Sequence, residues 1–152
     1  TNFNQTLDTV LQNLGDSSFA LLFIDLDGFK FINDTLGHDA GDEALQAAAN
    51  RLRHSVAASD FIARLGGDEF VAIIHNVADA NVALTIANRM CESVSQPMEL
   101  LGKPASMGAS IGVAMVPQHS IVASEILSAA DTAMYVAKYS GKGRVILAGS
   151  SK

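Results

Sequence analysis

The chain has 152 residues, a size at which a single core is the default and about 70% of the unfolded surface is buried on folding. Apolar residues make up 49% and charged residues 17%, which excludes a disordered chain or a solvated coiled coil. Ten Lys and Arg stand against 16 Asp and Glu, net −6 with no basic run, so neither a DNA nor an RNA polymer is an expected partner.

The spacing of Leu7, Val10, Leu11 and Leu14 predicts an amphipathic helix over 5–14, ended by Gly15. Residues 19–24 are apolar at every position and predict a central strand covered on both faces, stopping at Asp25. That run is also the longest apolar one, far short of the roughly 20 residues of a membrane-spanning helix, so no membrane contact is expected of this domain. A short helix over 28–36 closes at Gly37, and Asp39 reads as the N-cap of a long helix over 40–57. Segments 61–65 and 69–75 predict a hairpin turning through Gly66-Gly67. A helix over 79–95, strands over 98–101 and 105–116, a helix over 123–139 and a short strand over 144–147 complete the order. This order predicts one α+β domain over 1–152, with a mostly antiparallel sheet flanked by helices. The lone Cys91 reads as a small core residue in a reducing compartment, hence a cytoplasmic location, which includes the cytoplasmic part of a membrane-bound sensor.

Eight of the 16 acids fall in two short segments: Asp25, Asp27, Asp34, Asp39, Asp42 and Glu43, then Asp68 and Glu69. Such a cluster either points into solvent or converges on a cation. Asp25 leaves a strand buried on both faces, where an unpaired carboxylate costs several kcal/mol. A hairpin paired beside that strand brings Asp68 to its end, and two converging carboxylates suit a hard ion such as Mg²⁺. Taken singly, each acid also fits plain turn chemistry. Gly28 and the glycines Gly66 and Gly67 let backbone approach a phosphate-bearing ligand closely, and Lys30 supplies local positive charge. Gly141-Lys142-Gly143 lacks the spacing and hydroxyl of a Walker loop.

Arg64-Leu65-Gly66-Gly67-Asp68-Glu69-Phe70 resembles the signature of the GGDEF family of diguanylate cyclases. Further segments resemble the same family in the same order. They are Asp25-Leu26-Asp27-Gly28-Phe29-Lys30-Phe31-Ile32-Asn33-Asp34, Gly37-His38-Asp39-Ala40-Gly41-Asp42, Ser110-Ile111-Gly112-Val113-Ala114 and 130–138. The resemblance implies a palm-like fold of nucleotidyl cyclase or ferredoxin-like type, and the condensation of two GTP into cyclic di-GMP across a dimer of domains. By the same resemblance Asp25, the Leu26 carbonyl and Asp68 hold Mg²⁺ or Mn²⁺, with Glu69 supporting a second metal or the deprotonation of the attacking hydroxyl. Asn33 and Asp42 read the guanine edge, while the backbone of Gly28 and Phe29, with Lys30, Lys138 and Lys142, holds the phosphates. The bland alternatives are that Asp42 serves a helix dipole and that Lys138 merely suits a helix C-terminus.

The chain departs from the family pattern at three places. The product-binding Arg-x-x-Asp reads Ala57-Ala58-Ser59-Asp60, which predicts no strong product inhibition there. Lys142 stands where the family often has Arg, losing the planar fork. The start at Thr1 is expected of a piece of a longer signalling protein carrying a sensor or EAL phosphodiesterase domain. The main rival is a GTP-binding regulatory module without turnover. A serine hydrolase centred on Ser110 fails because the strand pattern runs on through Val116, with no helix following at once. An EF-hand starting at Asp25 fails because Lys30 and Leu36 occupy its Gly and Glu positions, and the four histidines lack zinc spacing.

Overall fold

The computed structural model describes residues 2–149, so the ends of the domain expected over 1–152 lie outside the described residues. Five helices and seven strands follow in the order α1 (Phe3–Gln12), β1 (Phe19–Asp27), α2 (Phe29–Leu36), α3 (His38–His54), β2 (Phe61–Gly66), β3 (Glu69–His75), α4 (Ala80–Val94), β4 (Met98–Leu100), β5 (Lys103–Ala105), β6 (Gly108–Val116), α5 (Ala123–Tyr139) and β7 (Val145–Leu147). The main sheet runs β2-β3-β1-β6-β7, antiparallel except for the parallel β6–β7 pair, and β4–β5 form a separate ribbon.

β1 lies at the centre, and its alternation sorts the two cores. Ala20, Leu22, Ile24 and Leu26 point to the layer of α2, α3 and α4, packing with residues such as Ala44, Leu52, Ala87 and Met90. Phe19, Leu21 and Phe23 point to α1 and α5, packing with Leu7, Ile126, Ala130 and Met134. Successive strand residues face opposite ways, so Asp25 and Asp27 share the α5 face with Phe23. α5 comes close enough to reach them because residue 112 is glycine: a Cβ there would overlap the backbone of Ala130 and Met134. Cys91 is buried, with its thiol donating to the Ala109 carbonyl at 3.3 Å, and burial pushes its pKa up to about 12.

Several boundaries differ from those expected. β1 does not stop at Asp25 but continues to Asp27, because Asp25, Leu26 and Asp27 pair in register with Ser110, Ala109 and Gly108 of β6. The N-cap of α3 is Gly37, at φ +95°, instead of Asp39, which sits in the first turn. α3 ends at His54, since Arg53 reaches the carbonyls of Ala57 and Asp60 and holds the chain in a turn. The strand expected over 105–116 starts at Gly108, because Lys103–Ala105 folds back on Met98–Leu100 as a ribbon.

Candidate functional site

The pairing of β3 beside β1 places Glu69 directly opposite Asp25, and the Leu26 N–H donates to the Asp68 carbonyl at 3.0 Å. The acids expected to converge from positions 25 and 68 are thus neighbours at one end of the sheet. Asp25 is only 7% exposed. Its Oδ2 accepts from Lys138 Nζ on α5 at 2.6 Å, while its Oδ1 is buried with no hydrogen-bond partner among the described residues. Burial raises the Asp25 pKa above the ordinary aspartate range and the Asp68 carboxylate adds to the rise, with Lys138 pulling the other way. Glu69 is raised too, by burial and then by Asp25, Asp131 and Asp68. Burial works against the charge of Lys138, but the hydrogen bond and charge of Asp25 outweigh it and hold the ammonium above its usual pKa.

An orphaned, buried carboxylate oxygen beside a second carboxylate is an unsatisfied anion site, and it fits a hard cation. Among the described residues no three His, Cys, Asp or Glu side chains form a ligand cage. Two carboxylates and a carbonyl are instead the sparse donor set suited to Mg²⁺, which keeps waters and substrate phosphate oxygens in its remaining positions.

The other expected residues surround this centre unevenly. Gly28, at φ +88°, is the N-cap of α2 and offers no side chain there, so the first amides of Phe29 and its successors are left to outside acceptors. Lys30 is exposed and pairs with Asp34 on its own helix at 3.1 Å, not with Asp25. Asn33 packs its amide against Gly41, where a Cβ would overlap it, and so sits next to Asp42 across the α2–α3 junction. Asp42 stands at the edge of a cleft of about 560 Å³ between α3 and the β2–β3 hairpin, with Leu45, Ala49, Ile62 and Phe70 as its apolar walls. The hairpin turns through Gly66-Gly67, Gly67 at φ +52° being the left-handed residue, and Arg64 Nε bonds the Gly67 carbonyl at 2.9 Å. Lys142 lies in the loop after α5 at φ +60°, its N–H donating to the Ala137 carbonyl at 3.0 Å.

Sequence reasoning missed the partners of the acids. It assigns Lys138 to phosphate without foreseeing its ion pair with Asp25, and it gives Asp27, Ser110 and Gly143 no role. The available signal is alternation: residues two apart on a strand share a face, so any base held for Asp25 also stands near Asp27.

A family model described as diguanylate cyclase, GGDEF domain, matches residues 1–144. The bifunctional diguanylate cyclase/cyclic di-GMP phosphodiesterase MucR of Pseudomonas aeruginosa is 45% identical over 127 residues, covering 84% of this chain and 18% of MucR. The diguanylate cyclase TpbB of the same species is 44% identical over 125 residues, covering 82% of this chain and 29% of TpbB. The chain therefore spans less than a third of the length of these two relatives. Among solved structures, the isolated GGDEF domain of TpbB superposes with a TM-score of 0.92 at 40% identity, covering 96% of this chain and 87% of that one. The GGDEF domain of DgcB from Caulobacter crescentus, in complex with c-di-GMP, gives 0.88 at 30% identity, covering 97% and 89%.

Proposed function

The chain belongs to the diguanylate cyclase, GGDEF domain family, and from that membership we propose that it is the catalytic domain of a longer protein, condensing two GTP into cyclic di-GMP. The observation that carries the reading is the convergence of Asp25 and Asp68 around an unpartnered, buried carboxylate oxygen. Asp25, the Leu26 carbonyl and Asp68, with Glu69 beside them, would hold a divalent ion, and that ion would supply positive charge against the negative charge that builds at the α-phosphate.

The residues of the chain do the rest. Asn33 and Asp42 present an amide and a carboxylate, matching the acceptor and donor edge of guanine, and the apolar walls of the adjoining cleft suit the flat base. The N-terminal amides of α2 at Gly28 and Phe29 face phosphate oxygens with the positive end of the helix dipole, and Lys30 adds charge at the same end. Lys138 and Lys142 approach the phosphate chain from the end of α5. Glu69, whose pKa burial and its neighbours raise, is poised to take the proton of a 3′-hydroxyl. That hydroxyl attacks the α-phosphorus of the second GTP and pyrophosphate departs; two such steps close the ring and release two pyrophosphates.

One copy of these residues serves one nucleotide, so the reaction needs a second copy facing the first. Holding two nucleotides in register supplies several kcal/mol of the barrier. Sensor or EAL domains in the parent protein would set that encounter. Among the described residues no helix is long and apolar enough to cross a membrane, and a cytoplasmic site, where GTP is supplied, completes the proposal.

The test is incubation of the domain with GTP and Mg²⁺, at increasing protein concentration, with chromatography of the products. Cyclic di-GMP formed at a rate per chain that rises with concentration, and absent from an Asp68→Ala control, is the expected result. GTP binding with no product at any concentration would instead identify a regulatory module.

A further inference from the structure

Asp27 is a buried carboxylate, 8% exposed, to which the chemistry above gives no task. Its surroundings are nonetheless fully built. Ser110 Oγ, itself completely buried, lies 3.0 and 2.9 Å from its two oxygens and donates to them. The backbone N–H of Gly143 donates to Oδ2 at 2.9 Å, from 116 residues further along the chain. Lys138 Nζ stands 3.8 Å from Oδ1, on the far side of its bond to Asp25.

The loop that Asp27 grips is an improbable one. Gly141, Lys142 and Gly143 all have positive φ, at +133°, +60° and +58°. A run of left-handed residues that includes a lysine persists only where surrounding contacts over-determine it. Three contacts do so here: Lys142 N–H on the Ala137 carbonyl at 3.0 Å, Gly143 N–H on Asp27, and the Arg144 carbonyl on Ile111 N–H at 3.0 Å. The outer two belong to the end of α5 and the start of β7. The middle one is the side chain of Asp27, and it ties the loop to the same strand end that carries Asp25.

We propose that Asp27 is a positioning residue whose carboxylate clamps the 141–144 loop and steadies Lys138, so that Lys138 and Lys142 present a fixed pair of cations to the phosphate chain of the nucleotide. The inference rests on the reading of the chain as a GTP-binding domain. Charge alone makes the opposite forecast. Removing a carboxylate beside an anion site relieves repulsion and tightens anion binding, whereas removing a clamp loosens it. The sign of the effect therefore decides between them.

The experiment compares wild type, Asp27→Ala, Asp27→Asn and Ser110→Ala in two measurements. The first is calorimetric binding of a GTP analogue with an uncleavable α–β linkage, with Mg²⁺, set against guanosine, which carries the same base and no phosphate. The second is hydrogen exchange of the Gly143 amide in the free chain. Asp27→Ala is expected to lose about tenfold in affinity for the analogue, the scale of one charge-assisted hydrogen bond, with guanosine affinity within about twofold and Gly143 exchange clearly faster. Asp27→Asn keeps an acceptor for the Gly143 N–H and is expected to recover to within about threefold of wild type. Ser110→Ala removes one donor to the clamp and is expected to shift the analogue by about threefold in the same direction. It decides the matter alone if Asp27→Ala does not fold. Unchanged or tighter analogue binding in Asp27→Ala overturns the proposal, as does an equal loss for guanosine and analogue. A wild-type chain that fails to bind the analogue overturns the functional reading instead, while Gly143 exchange still reports whether the clamp exists.

Discussion

Asp25 and Asp60 are two buried aspartates, 7% and 8% exposed, placed in regions that treat them in opposite ways. Asp60 closes the turn after α3. Its Oδ2 accepts from the Ala57 N–H at 3.0 Å and its Oδ1 from the His75 N–H at 2.9 Å, so both oxygens are spent on backbone. Asp25 has one oxygen on Lys138 and the other on nothing, with Asp68 pressing its charge upon it. A buried acid that is fully satisfied is part of the architecture. One held half-satisfied beside a second acid is a reservoir of unfavourable energy that a bound cation would relieve.

The comparison breaks first at Asp25. Asp25→Asn removes the charge that the region holds at a cost, so cyclic di-GMP formation is expected to fall by about a thousandfold or more while the melting temperature stays at or above that of wild type. Parallel product assays and thermal melts check this. A variant that melts well below wild type would show that Asp25 holds the fold together as Asp60 does, and the distinction between the two regions would be lost.

The converse variant is Asp60→Ala. It strips two backbone N–H groups of a charged acceptor and is expected to cost about 3 kcal/mol of stability, about 10 °C in melting temperature for a chain of this length. Turnover per folded molecule should hold. The same occupancy bears on the product site expected at 57–60: residue 57 is Ala, and both Asp60 oxygens are engaged by backbone, so little remains there for a product to grip. Added cyclic di-GMP is accordingly expected to leave the initial rate within about twofold, and steep inhibition relieved by Asp60→Ala would show that this acid is free for ligand after all.

Much of the fold was legible because local pattern carries it. The period of apolar residues marks the helix over 123–139 at its observed ends, and the Gly-Gly turn marks the β2–β3 hairpin. What escaped was set by distant contacts. The extension of β1 through Asp27 reads as a strand end because charged residues normally end strands, yet β6 supplies pairing there and buries both acids. The partners of those acids lie 83, 113 and 116 residues away at Ser110, Lys138 and Gly143, distances at which a single sequence offers no periodicity to read. The placing of Asp68 and Glu69 beside Asp25 was legible from a motif and a Gly-Gly hairpin. The competition of Asp25 with its neighbours for Lys138 could only be found in three dimensions.

The smallest effect is expected at residue 142, where the sequence reading expects Arg and the chain has Lys. The backbone there is already fixed in the left-handed region by the Lys142 and Gly143 N–H contacts, so a change of side chain leaves the loop where it is. Lys142→Arg keeps the charge and adds a planar fork able to engage two phosphate oxygens at once. A KM for GTP lowered by about three- to fivefold, with kcat little changed, is the expected outcome in steady-state kinetics, because such a contact is made to the bound triphosphate before and during reaction alike. On the proposed reading the acids at Asp25 and Asp68 serve the chemical step and this loop serves grip. A Lys142→Arg variant with altered kcat and unaltered KM would place the loop on the reacting phosphate itself and redraw the division of labour between the sheet end and the loop.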